Sequence, residues 1–188
     1  MAGNVTEHFY TAQDRAGYAS APAAARGNLD TLAGLLEDVR RGGGGVPMLI
    51  TSGYRNAVHN AAVGGSDLSQ HLSGSAVDFQ PVGIGGGDRM RIWADDAVGS
   101  LPPQSFGQII LYPWSDGHVH ASLPNRASGR TGEVLVETGA HVYSPWRPGT
   151  PFPVWGGGGA TDRSDTEGAA RIALLFWVAA AILLAAIL

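Results

Sequence analysis

Cysteine and lysine are both absent from this chain of 188 residues. Without cysteine the protein can have neither a disulfide, nor a thiolate zinc site, nor a cysteine nucleophile. Any metal must therefore be bound by histidine and carboxylate side chains. Every side-chain cation other than histidine is an arginine, and the formal net charge is −4. Because a basic surface is the electrostatic signature of nucleic-acid binding, we expect no nucleic-acid partner.

Charged residues are also scarce, at 15% of the chain, whereas 44% of the residues are hydrophobic and 28 are glycine. This composition predicts one core of ordinary size with many turns around it. Helical spacing of leucines runs from Asn28, as the N-cap, to Gly42, and a second helix follows Asp88. Strand-like patterns occupy residues 46–54, 75–82, 107–112, 118–123 and 132–137. We therefore expect an α+β domain at residues 28–143, with a small, mostly antiparallel sheet and flanking helices, preceded by an arm at residues 1–27.

The composition changes after this domain. Residues 144–170 are rich in proline and glycine and predict a linker. The uncharged residues that follow Arg171 would form a helix of about 26 Å, close to the roughly 30 Å of a hydrocarbon core. Residues 171–188 are therefore expected to form a C-terminal transmembrane helix, with a buried or oligomer-packing helix as the alternative. The first residues lack a basic stretch followed by an apolar run, which predicts no cleavable signal peptide.

The segment "SQHLSGSAVDF" at residues 69–79 carries His71 and Asp78 within one short stretch. A second segment, "HVH", supplies His118 and His120, which point to the same face if the segment is a strand. Catalytic zinc sites usually have three protein ligands and one open position. We therefore expect His71, Asp78 and one of the two later histidines to bind zinc.

These motifs resemble those of the zinc D-alanyl-D-alanine carboxypeptidase-like peptidases, which cut the cross-linking peptides of peptidoglycan. The similarity includes "SGYR" at residues 52–55, "NAAVGGS" after it, S-x-H-x-x-G-x-A-x-D at residues 69–78, and "HVHAS" at residues 118–122. It covers about residues 28–138 and implies a fold like that of hedgehog and the DD-peptidases. It also implies that the zinc ligands are His71, Asp78 and His120. Gly74 and Ala76 are then the small residues that let the chain turn tightly between two ligands.

The resemblance also implies roles for residues around the metal. Arg55 is similar to the family arginine that contacts the substrate, and its alternative is a surface arginine in a turn. Ser69 is expected either to hydrogen-bond the substrate or to hold the loop. Many relatives carry an acidic residue three positions before the last ligand, where this chain has Gly117. We therefore consider Asp116 and His118 for the role of general base, and a site without a base would bind zinc without cutting peptides.

The sequence thus predicts a zinc-dependent peptidase that hydrolyses peptidoglycan stem peptides, either as a carboxypeptidase or as an endopeptidase of the endolysin type. The alternative is a catalytically inactive zinc-binding module with a structural or cell-wall-docking role in a virus particle. A C-terminal membrane anchor would leave the domain in the cytoplasm, whereas peptidoglycan lies outside. A phage origin removes this conflict, so we expect a protein that is either membrane-anchored or associated with a virion.

Overall fold

The computed structural model describes His8 and residues 17–114, 117–125, 129–139 and 141–152. The helices in this part of the chain are α1 (Ala23–Gly42), α2 (Ala57–Ala62) and α3 (Gly87–Gly99), with 3₁₀ helices at Gln70–Ser73 and Pro103–Ser105. The strands are β1 (Met48–Ser52), β2 (Ala76–Pro81), β3 (Gln108–Tyr112), β4 (His118–Ser122), β5 (Glu133–Gly139) and β6 (Val142–Pro145). The fold is therefore α+β.

The six strands form one mixed sheet in the order β1-β2-β4-β3-β5-β6. Strands β3 and β5 run parallel, and the other neighbours are antiparallel. The parallel pair arises because the chain turns after β4 and crosses to the far side of β3, which reverses its direction relative to β4. The predicted fold class, a mostly antiparallel sheet, is therefore corrected to a mixed sheet with one parallel pair, which was missed because the sequence pattern of a strand does not reveal its neighbour.

The predicted fold class also included a transmembrane helix. Within the part of the chain that the structure describes, no helix is long and apolar enough to cross a membrane. Helix α1 has 20 residues but is amphipathic, with buried leucines on one side and arginine in its last turn. Residues 171–188, to which the prediction applied, lie outside the described residues.

Helix α1 begins at Ala23, after Pro22, and not at the predicted N-cap Asn28. The alanines before Asn28 favour helix, and Ala25 is only 4% exposed, so the helix extends toward the N-terminus over the core. Asn28 lies inside the helix and donates a hydrogen bond of 2.9 Å to the carbonyl oxygen of Ser73. This bond ties α1 to the 3₁₀ helix Gln70–Ser73.

The two faces of the sheet differ in chemistry because side chains alternate along each strand. Phe79 of β2, Leu111 of β3 and Val119 of β4 are almost completely buried in the hydrophobic core. Phe79 packs edge-on against Trp93 of α3, with ring centroids 6.4 Å apart. The alternate residues of the same strands include Asp78, which lies on the opposite face. The helices and core thus cover one face and leave the polar residues on the other.

Candidate metal centre

Two neighbouring strands and one 3₁₀ helix bring His71, Asp78 and His120 together. Asp78 of β2 and His120 of β4 are direct partners in the antiparallel register. The His120 Nδ1 atom lies 2.9 Å from Asp78 Oδ1, and the His71 Nε2 atom lies 3.3 Å from the same oxygen. One ligand atom from each of the three residues can be chosen so that all lie within 4.8 Å of one another. This spacing suits three ligands of a single metal ion.

The loop that carries His71 is shaped by the residues on either side of it. The Ser69 side chain caps the 3₁₀ helix, with its Oγ atom accepting from the His71 backbone N–H at 3.4 Å. Gly74 ends the helix at φ = +69°, where a Cβ atom would lie 2.5 Å from the carbonyl oxygen of Ala25. A small residue is therefore needed at position 74, as predicted, and glycine supplies both the backbone conformation and the space.

The hydrogen bond of His71 with the backbone determines which of its nitrogens faces the cluster. Its Nδ1 atom lies 2.7 Å from the carbonyl oxygen of Gly53, which can only accept a hydrogen bond. The proton of the neutral ring is therefore on Nδ1, and the lone pair on Nε2 points toward Asp78 Oδ1. The contact is stabilised either by a metal ion between the two atoms or by a proton on Nε2 that is donated to Asp78. The donor set therefore fits a metal ion, with the backbone contact orienting the ligand.

Arg55 holds the other oxygen of the Asp78 carboxylate. Its Nη2 atom donates to Asp78 Oδ2 at 2.5 Å, and its Nε–H donates to the Ser52 Oγ atom at 2.8 Å. The Arg55 backbone N–H also donates to the carbonyl oxygen of His71 at 3.0 Å. Arg55 therefore fixes the orientation of Asp78 and leaves Oδ1 directed at the two histidines. The contact with substrate that the sequence predicts for Arg55 stays a prediction.

The protonation states of the cluster suit metal binding. Burial on its own would raise the pKa of Asp78, but hydrogen bonds from His120 and His71 outweigh burial and hold this pKa well below its usual range. Burial lowers the pKa of His120, and the attraction of Asp78 only partly opposes this effect. At neutral pH Asp78 is therefore ionised and His120 is neutral. These are the forms in which both side chains bind a metal.

The three residues open into a cavity of about 750 Å³. This volume lies within the range of small-molecule and peptide sites. Arg55 and Ser69 also line this cavity. The structure thus brings both predicted substrate-binding residues to the wall of the same space as the metal cluster.

Position 117, where the family resemblance implies an acidic residue, is closed to any side chain. Gly117 has φ = +65°, and a Cβ atom there would lie 2.2 Å from the carbonyl oxygen of Gly85. Asp116, one of the two residues predicted as general base, lies outside the described residues. The other, His118, begins β4 and stacks on Tyr112, with ring centroids 4.1 Å apart and an interplanar angle of 10°. His118 is therefore next to the cavity wall without lining the cavity itself.

Sequence reasoning missed part of the cavity wall. Tyr112, Tyr143 and Arg130 line the cavity beside the metal cluster. Burial and the hydrogen bond with Tyr143 raise the pKa of Tyr112, so its hydroxyl stays protonated. The alternation of the strand at residues 107–112 could have indicated Tyr112, since this residue pairs with His118 in the sheet. No pattern indicated Tyr143, because β6 was not predicted.

Comparison with known protein families gives a match that covers most of the domain. The family model described as Peptidase M15 matches residues 7–121, which is more than half of the chain. The matched segment contains His71, Asp78 and His120. No curated protein matches the chain.

Proposed function

The chain belongs to the peptidase M15 family, and from this premise we propose that it is a zinc-dependent peptidase that hydrolyses the stem peptides of peptidoglycan. The family consists of zinc peptidases related to D-alanyl-D-alanine carboxypeptidases, and membership confirms the resemblance inferred from the sequence. The observation that carries the proposal is the arrangement of His71 Nε2 and Asp78 Oδ1. The two atoms face each other at 3.3 Å, within the spacing that two ligands of one metal ion can adopt.

In this proposal His71, Asp78 and His120 hold the metal. Bound zinc would polarise the scissile carbonyl group and activate water for attack on it. The chain's own contribution is to keep the ligands in position. The Gly53 carbonyl oxygen fixes the ring of His71, and Arg55 fixes the carboxylate of Asp78.

The cavity wall supplies the groups proposed to orient a peptide. Tyr112 keeps its proton and can donate a hydrogen bond to a substrate oxygen, because its raised pKa lies far above neutral pH. Arg55 lines the cavity and is proposed to contact a substrate carbonyl in addition to holding Asp78. The Ser69 hydroxyl accepts from the His71 N–H, so the structure supports its loop-holding role more directly than a contact with substrate.

Peptide hydrolysis requires a group that takes a proton from water and passes it to the leaving amine. Gly117 cannot supply this group, and we propose Asp116 or His118 in its place. His118 is supported by its place on the same strand face as His120 and by its contact with Tyr112. Asp116→Asn and His118→Gln decide between them, because loss of the base abolishes hydrolysis while zinc binding persists.

A second function is favoured by one observation. The backbone at Gly117 excludes the acidic side chain that many relatives use, as its contact with the Gly85 carbonyl shows. A protein without any base would bind zinc and could dock on peptidoglycan without cutting it. Hydrolysis that survives in both the Asp116→Asn and the His118→Gln variants would require yet another base, whereas no hydrolysis by the unmodified protein would support the docking role.

The test is digestion of purified peptidoglycan by the full chain, with products identified by mass spectrometry. The proposal predicts new peptide fragments that require zinc and disappear in His120→Ala. The fragment masses also identify the bond and distinguish a carboxypeptidase from an endopeptidase. Absence of fragments from protein that holds one zinc per chain would overturn the peptidase proposal for this substrate.

A further inference from the structure

A second arginine lies at the wall of the cavity, on a different part of the chain from the metal ligands. Arg130 lines the cavity together with Asn125. The two residues form an isolated antiparallel bridge that follows β4. The Asn125 N–H donates to the Arg130 carbonyl oxygen at 3.0 Å, and the Arg130 N–H donates back at 3.2 Å. The backbone of Arg130 is therefore held in place beside the site.

The charges that line the cavity are unequal. Arg55, Arg130 and Asp78 are the charged residues other than histidine in the described part of the wall. The charge of Asp78 is matched by Arg55, which donates to it at 2.5 Å. In the described segments no carboxylate forms an ion pair with Arg130, and this side chain is exposed. Arg130 therefore adds an unbalanced positive charge to the cavity, which attracts anions.

We propose that Arg130 binds a carboxylate group of the substrate and so selects peptides that carry one near the scissile bond. The planar guanidinium group can form two parallel hydrogen bonds with a carboxylate, which gives direction as well as charge. Arg55 cannot form the same pair of hydrogen bonds with a substrate carboxylate, since its Nη2 and Nε groups already donate to Asp78 and Ser52. This inference rests on the proposed function, because it names the part of a stem peptide that the cavity recognises.

A stem peptide can present such a group as its C-terminal carboxylate or as the α-carboxylate of a γ-linked glutamate. Two probes with one carboxylate each separate these sources. The first is L-lysyl-D-alanyl-D-alanine with both lysine nitrogens acetylated, and the second is an acetylated γ-D-glutamyl-L-alanine with its C-terminus amidated. The first probe amidated at its C-terminus serves as the neutral control.

The test measures dissociation constants by NMR titration of the metal-free full chain, so that binding is observed without turnover. We expect Arg130→Gln to weaken binding of one carboxylate probe about tenfold, the lower end of the range for a hydrogen bond to a charged group. Arg130→Lys should bind that probe with an affinity between those of Arg130→Gln and the unmodified protein, because lysine keeps the positive charge but cannot form two parallel hydrogen bonds. Arg147→Gln removes an exposed arginine that lies outside this cavity and should bind like the unmodified protein.

The outcomes separate this inference from the proposed function. If Arg130→Gln weakens binding of the first probe alone, Arg130 binds the C-terminal carboxylate. If it weakens binding of the second probe alone, Arg130 binds the glutamyl carboxylate. Equal binding by Arg130→Gln and the unmodified protein, or no binding of either carboxylate probe, would overturn the inference. Peptidoglycan hydrolysis measured in parallel reports on the proposed function alone. If the protein hydrolyses peptidoglycan but Arg130→Gln binds the probes normally, the peptidase proposal holds and this inference fails. If Arg130→Gln weakens probe binding but the protein does not hydrolyse peptidoglycan, the protein is a binding module.

Discussion

Replacing Gly74 by alanine should destabilise the protein and loosen the metal centre together. The residue has φ = +69°, and its added Cβ atom would lie 2.5 Å from the carbonyl oxygen of Ala25 in α1. The left-handed conformation costs alanine about 1–2 kcal/mol, and forcing an extra carbon into a packed site costs about 1–3 kcal/mol. The sum of about 2–5 kcal/mol predicts a fall in the melting temperature of about 4–20 °C for a chain of this size.

Gly64 provides a matched control because its φ is +72° but no atom lies within 4 Å of an added Cβ. Gly64→Ala should therefore be destabilised only by the left-handed backbone conformation, and not by a steric clash. Thermal unfolding followed by circular dichroism measures both variants, and competition with a zinc chelator measures their affinity for zinc. We expect weaker zinc binding only in Gly74→Ala, since the shift moves the loop between His71 and Asp78. Equal melting temperatures and equal zinc affinities for the two variants would refute the reasoning.

Three further predictions concern the same centre. Zinc at a thousand times its dissociation constant should stabilise the protein by about 4 kcal/mol, and His120→Ala should lose this thermal shift; a shift retained in His120→Ala would place the zinc elsewhere. Arg55→Gln should lower the melting temperature of the metal-free protein, because it removes the partner of the partly buried Asp78 carboxylate at a cost of about 1–3 kcal/mol. No change in that temperature would mean that Arg55 serves the substrate alone. Ser69→Ala should cost about 1 kcal/mol as the loss of a helix cap, measured by urea unfolding, whereas an unchanged stability with a raised KM would assign Ser69 to substrate binding.

The parts of the fold that sequence could predict are those with local patterns. The leucine spacing located α1 and the alternating residues located β2 and β4, because periodicity reflects which side of an element is buried. The start of α1 was placed too late, since alanines before Asn28 give little amphipathic pattern although Ala25 is buried. The parallel pairing of β3 with β5 was missed because strand order depends on contacts between distant segments.

In the candidate site, too, the residues within a local motif could be predicted and those that depend on contacts between distant segments could not. His71 and Asp78 could be located because their spacing within one segment is itself a motif, and the structure places them 3.3 Å apart. Tyr143 and Arg130 could not be located, because they reach the cavity from segments that carry no motif. The contact of Arg55 with Asp78 was also missed, since an ion pair between residues far apart in sequence depends on the register of β1 and β2.

The proposed function depends most directly on a zinc ion bound by His71, Asp78 and His120. Crystals of the full chain grown with zinc and measured at the zinc absorption edge would locate the metal by its anomalous signal. We expect one strong peak at about 2.0–2.2 Å from His71 Nε2, an oxygen of Asp78 and a ring nitrogen of His120. A strong peak at other residues, or no peak at this cluster in the presence of saturating zinc, would show that these three residues do not form the zinc site.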